Sequence, residues 1–163
     1  MDAIVAVSQN WGIGKNGQLL FSLPTDLRRF QALTTGSTVI LGYHTLLSLP
    51  GGKPLPKRES IVLTTQNRQI SGATVVHSIH EALSAVSGRE TPVFVIGGGS
   101  VYAALLPFCD HVYLTVVDAA PEADSFFPDL TALPHWQLVS QSEPLSENGL
   151  TFRYLDYANT AKK

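Results

Sequence analysis

Asp26 lies in the stretch LLFSLPTDLRRF, residues 19–30. Set at about 100° per residue from Leu23, the side chains of Leu27, Phe30 and Leu33 share an arc of roughly 120°, and Asp26 falls inside it. Arg28 points the opposite way and Arg29 lies at the edge. Two readings follow. An acid in the first turn offsets the helix dipole, and Asp26 with Arg29 makes an i,i+3 pair worth about a few tenths of a kcal/mol. Alternatively, a carboxylate on an apolar face is costly without a partner, so it is kept for a cationic or hydrogen-bond-donating ligand.

A second centre is the triple glycine of VFVIGGGSVYAALL (93–106). It follows a buried-strand pattern and precedes a helical one, where main-chain N–H groups and the helix dipole welcome an anion. Glycines there let a diphosphate approach the backbone, or they simply make a tight strand-to-helix turn. The spacing does not match the G-x-G-x-x-G fingerprint that follows the first strand of a Rossmann unit. Two more strand ends are alike: VILGYHT leads from Gly42 to His44 and Thr45, and IVLTTQNR leads through hydroxyls to Arg68. In open α/β sheets ligands collect at the carboxyl ends of strands, so three such ends suit an extended, phosphate-bearing ligand. His77 and His80 lack a further ligand at metal-binding spacing. Ser22 and Ser100 lack a nucleophile elbow, and Trp11 and Trp136 read as packing residues.

The elements that must hold these groups follow from hydrophobic patterning. AIVAV (3–7), TVILG (38–42), SIVLT (60–64), ATVV (73–76) and VFVIGGG (93–99) are continuous apolar runs, the mark of strands covered on both faces. Helical patterns lie between them at about 24–34, 43–48, 79–86 and 99–106, so the class is α/β. WQLVSQ (136–141) and LTFRYLDY (150–157) flank an Asn148-Gly149 turn signal and read as an antiparallel pair at one edge. PGGKPLPKR (50–58) is a loop. The 163 residues suit a single domain over 1–163. With 44% hydrophobic and 15% charged residues the chain is not a disordered one. A net charge of −2 gives no footprint for nucleic acid or anionic lipid. No apolar run reaches membrane-spanning length, and MDAIVAVSQNWG lacks the features of a signal peptide. Cys109 stands alone, which fits a reducing cytoplasm.

Taken in order, AIVAVSQNWGIGKNGQL, LPTDLRRF, VILGYHT, PLPKR, IVLTT, VIGGGSVY, VYLTVVDA and DSFFPDL resemble the dihydrofolate reductase family over nearly the full chain. The resemblance implies an eight-stranded, mostly parallel sheet with an antiparallel C-terminal edge and about four helices. It also implies NADPH-dependent reduction of 7,8-dihydrofolate to tetrahydrofolate by a cytoplasmic monomer, the reaction that supports one-carbon metabolism and is the target of antifolate inhibitors. Asp26 looks like the ionisable group of the pterin pocket, with Thr115 supporting it and Phe21 beside the reacting centre. The implied substrate walls are Ile4, Val5, Ala6, Leu19, Leu27, Phe30, Leu49, Leu55, Ile96 and Tyr102, and Arg58 would take the glutamate α-carboxylate. A loop from Gly14 to Leu19 would close over the nicotinamide. The implied cofactor cleft runs through Ala6, Ile13, Gly14, Gly17 and Leu19, then Gly42, Tyr43, His44 and Thr45. It continues through Leu63, Thr64, Thr65, Arg68 and His77, and ends at Ile96, Gly97, Gly98, Gly99, Ser100, Val101 and Tyr102, with the first Gly-Gly bond cis. No metal is implied.

Two departures stand out. Leu20-Phe21 occupies the place of the family's usual Pro-Trp, and a phenyl ring has no N–H to hold a water beside the pterin. Tyr43 and Ser100 stand where basic residues often flank the 2′-phosphate, leaving Arg68 as the nearest replacement, with His44 or His77 helping at lower pH. A reductase of another pterin or a pyrimidine on the same fold would not need Arg58, and a non-catalytic nucleotide-binding module would not need Asp26.

Overall fold

The computed structural model describes residues 1–163. In chain order it contains β1 (Asp2–Val7), β2 (Gly12–Lys15), β3 (Gln18–Leu19), α1 (Pro24–Thr34), β4 (Thr38–Gly42), α2 (Tyr43–Ser48), β5 (Glu59–Leu63), β6 (Ala73–Val76) and α3 (Ile79–Val86). It continues with β7 (Val93–Gly97), α4 (Gly99–Leu105), β8 (His111–Val117), β9 (Ser125–Phe126), β10 (Trp136–Gln141), β11 (Leu145–Glu147) and β12 (Leu150–Asn159). The main sheet follows the order β10-β12-β8-β1-β7-β4-β5-β6, and β11 adds to β12. Strands from β8 to β6 pair in parallel, while β12 is antiparallel to both β8 and β10. The expected α/β architecture, an eight-strand path with an antiparallel edge and four helices, is the one observed.

Continuous apolar runs become central strands because both faces of the sheet are covered. In β4, Val39, Ile40 and Leu41 are all fully buried. Ile40 joins the large cluster with Val5, Ile61, Val95, Leu105 and Leu114. Val39 and Leu41 face the other way, with Ile4, Leu46, Val62 and Phe94. Each such side chain contributes about 1.5–3 kcal/mol on burial, and the two clusters clamp the sheet whose carboxyl ends carry the glycines and hydroxyls.

The expected antiparallel edge pair forms, β10 on β12 with an irregularity between Leu138 and Ser140, but the Asn148-Gly149 turn joins β11 rather than β10 to β12, with Glu147 opposite Leu150. Residues 14–19 are not an open loop. Asn16 and Gly17 both adopt positive φ (52° and 76°), which suits a two-residue hairpin turn between β2 and β3. β9 pairs with the other side of β2. The hairpin is tied further by the Asn16 N–H donating to Asp124 at 3.0 Å and by a Lys15–Glu122 ion pair at 2.8 Å.

Candidate active site

Helix α1 forms because Pro24 sits pre-shaped in its first turn and Leu23, just before it, is buried against Val117 and Phe152. Within the helix only Thr34 is fully buried. The apolar arc therefore does not disappear into the core. Leu27 is 56% exposed, and Phe30 and Leu33 are partly buried against the cluster of Ile4, Val39, Leu41, Leu46, Val62 and Phe94. That arc stays partly open to solvent, and Asp26 is a half-buried member of it.

Asp26 is held from the sheet. Thr115, buried on β8, donates its hydroxyl hydrogen bond to Asp26 Oδ1 at 2.7 Å. Burial pushes the carboxyl above its ordinary value, the Thr115 bond and the Arg29 charge pull it down, and Glu147 pushes it up. The expected Asp26–Arg29 ion pair does not form; the Arg29 guanidinium instead lies 4.0 Å from the ring centre of Tyr154. Sequence reasoning missed Tyr154. The one signal for it was the alternation in LTFRYLDY, which puts Tyr154 opposite Thr115 once β12 is registered on β8.

The far end of α1 carries the second charged group. Arg58 Nε donates to the Thr34 hydroxyl at 2.9 Å, and Nη1 donates to the Pro56 carbonyl at 2.7 Å. Its guanidinium lies 5.8 Å from the Phe30 ring centre, and burial lowers its pKa from the usual value. Eight residues of helix separate Asp26 from Thr34, a rise of about 12 Å. An arginine bonded to its last residue and a carboxylate in its first turn thus stand at opposite ends of one helix. Leu55 is half-buried in the loop that delivers Arg58.

Across the sheet, the cleft is main chain. The Gly97–Gly98 bond is cis, and Gly97 has φ of 134°. A Cβ on Gly98 would come to 3.1 Å from Thr45 Oγ1, and one on Gly99 to 2.9 Å from the Phe126 carbonyl. A Cβ on Gly42 would meet Val101 at 3.2 Å. This glycine cradle fits a group that must touch backbone, such as a dinucleotide diphosphate. Tyr43 follows Gly42, and the Arg68 guanidinium stacks 4.0 Å from its ring centre. His77 Nδ1 donates to the Thr64 carbonyl at 3.0 Å. His44, Thr65 and Ser100 are exposed at the same strand ends.

Other expected contacts fall differently. Tyr102 is 4% exposed; its hydroxyl donates to the Ile4 carbonyl at 2.7 Å and its ring packs edge-on against Phe127. Val101, Ile13, Ile4 and Val5 are also core residues. Leu19 is 82% exposed on the β2–β3 hairpin, and Gly17 sits at its tip. Phe21 packs against the cluster of Leu23, Val117 and Phe152.

A family model described as dihydrofolate reductase matches residues 1–159. The chain belongs to the dihydrofolate reductase family. It is 36% identical over 157 residues to dihydrofolate reductase of Bacillus subtilis (strain 168), covering 94% of this chain and 91% of that one. It is 37% identical over 145 residues to dihydrofolate reductase type 3 of Salmonella typhimurium, covering 88% of each. A solved structure, dihydrofolate reductase from Enterococcus faecalis complexed with NADP(H) and RAB-propyl, is similar with a TM-score of 0.87 and 35% identity, over 97% of this chain and 95% of that one. As a dihydrofolate reductase the chain is an NADP-dependent oxidoreductase, and its activity is the NADPH-dependent reduction of dihydrofolate. No helix is long and apolar enough to cross a membrane.

Proposed function

We propose that Asp26 is the pterin anchor of this reductase and that the α1 wall is its substrate subsite. The carrying observation is the half-buried Asp26 carboxylate fixed by Thr115. Its oxygens accept hydrogen bonds from the pterin 2-amino group and N3. That pairing favours the tautomer in which N5 is more basic. A water delivers the N5 proton, because a carboxylate bonded to the 2-amino edge faces the other end of the heterocycle. Leu27, Phe30, Leu49, Leu55 and Ile96 cover the rings and exclude bulk water. Arg58 takes the α-carboxylate of the glutamate tail in its planar fork.

NADPH, when bound, supplies the hydride that reduces C6. Gly97, Gly98, Gly99 and Gly42 give its diphosphate main-chain contact, with Thr45, Thr64 and Thr65 as hydroxyl donors. Arg68, braced on Tyr43, takes the 2′-phosphate, and His44 and His77 lie toward the adenosine. Ile13, Gly14 and Leu19 on the β2–β3 hairpin, with Ala6, enclose the nicotinamide side. The protein acts as a cytoplasmic monomer on a small-molecule substrate and binds antifolates in the same cleft. Mixing it with NADPH and 7,8-dihydrofolate should give loss of the nicotinamide absorbance. No loss with dihydrofolate, alongside loss with a pterin lacking the glutamate tail, would overturn the role given to Arg58.

A further inference from the structure

The Tyr154 hydroxyl is enclosed by protein and no protein group pairs with it. An enclosed, unpaired hydroxyl is costly, so one that persists calls for a role. Its surroundings are well defined. The Tyr154 N–H donates to Ser142 Oγ at 2.9 Å and the Ser142 N–H donates back to the Tyr154 carbonyl at 2.9 Å, so the residue is pinned at its backbone. Phe152 meets its ring edge-on at 5.8 Å, and the Arg29 guanidinium covers the ring at 4.0 Å. Tyr154 stands directly opposite Thr115, so the two side chains rise from the same face of the sheet toward α1. Thr115 already bonds Asp26 through one carboxylate oxygen.

We propose that Tyr154 is a positioning residue for Asp26: its hydroxyl donates a hydrogen bond, through one water, to the ionised carboxylate, and the Arg29 cation on the ring strengthens that donor. The inference deepens the reading of Asp26 as the pterin anchor and rests on it. Four groups face the carboxylate. Thr115 approaches from β8, Tyr154 from β12, Arg29 from α1 itself and Glu147 from β11. Glu147 accepts from the Thr25 N–H at 2.9 Å and the Thr25 hydroxyl at 2.6 Å, and its charge pushes the Asp26 carboxyl up. Burial, and after it the Asp26 charge, makes ionisation of the Tyr154 phenol harder, which keeps that group a donor. A cation over a phenol face draws electron density from the ring and favours donation.

The test is a ¹³C NMR titration of the Asp26 carboxyl in the free protein, comparing wild type with Tyr154→Phe. The variant removes one oxygen and keeps the ring and the Arg29 stacking. The acid ionisation constant of Asp26 should fall about three- to tenfold, because the charged form loses a donor. A purely structural role for the ring would leave it unmoved. An unchanged or larger constant overturns the proposal. Arg29→Gln should lower the constant less in the Tyr154→Phe background than in wild type; equal effects would contradict the polarising role. This readout needs no turnover, so its failure is distinct from failure of wild-type protein to oxidise NADPH with dihydrofolate.

Discussion

Around Asp26 the cleft is made of side chains, whereas around Gly97–Gly99 it is made of main chain. On the first side, a carboxylate, a threonine hydroxyl, a stacked cation and a phenol come from three elements far apart in sequence. On the second, the contacts lie in short segments at strand ends, and what matters is that nothing projects from them. Side-chain recognition discriminates one heterocycle from another by its donors and acceptors. Main-chain recognition tolerates any diphosphate that fits, so selectivity among nucleotides must come from its margin, where Arg68 lies on Tyr43.

That contrast can be broken from either side. Asp26→Asn should lower kcat/KM at neutral pH by more than about 100-fold, and activity should recover in part as pH falls, because the substrate then arrives protonated at N5. A rate that is flat with pH and near wild type would contradict the assigned role. Arg58→Gln should raise the KM for dihydrofolate about 10- to 100-fold with little change in kcat, the pattern for lost uniform binding; equal loss in kcat would mean it also aligns the ring. On the main-chain side, Gly99→Ala drives a Cβ against the Phe126 carbonyl at 2.9 Å and forces β9 or the turn to move. Overpacking of that kind costs about 1–3 kcal/mol, so the KM for NADPH should rise roughly tenfold. Arg68→Ala should lower the preference for NADPH over NADH about fivefold and leave NADH kinetics unchanged, an exposed charge being worth about 1 kcal/mol. A large preference untouched by the substitution removes Arg68 from the 2′-phosphate site.

The smallest effect is on stability. Burial raises the Asp26 carboxyl above its unfolded value, so the folded chain holds that proton more tightly. The stabilisation this provides is present below the unfolded pKa and lost as pH rises through the folded one. At pH 7 the charged Asp26 is therefore a liability, and Asp26→Asn should raise Tm by ~1–3 °C in the ligand-free protein. A lower Tm at pH 7 would mean that Thr115 and Arg29 outweigh desolvation.

The same division governs what could be read from the chain alone. The main-chain half was open to sequence, since apolar runs ending in Gly42, Thr64 and Gly97 mark covered strands and their carboxyl ends. Helix α1 was open too, although periodicity alone cannot tell a buried stripe from one left open for a ligand, and Leu27 is 56% exposed. Asn16-Gly17 carried a hairpin signal that the expected loop obscured. Tyr154 was missed because its place opposite Thr115 exists only after β12 registers on β8, a pairing set by tertiary packing. Helical spacing offered Arg29 as one possible partner of Asp26, yet its guanidinium stacks on the Tyr154 ring of β12.

The most direct measurement is a crystal structure of the ternary complex with NADP⁺ and folate. The account predicts both Asp26 carboxylate oxygens within hydrogen-bonding distance of the pterin 2-amino group and N3, with Thr115 still bonded and the glutamate α-carboxylate on Arg58. A pterin seated away from α1, with the Asp26 carboxylate turned to solvent, would contradict it.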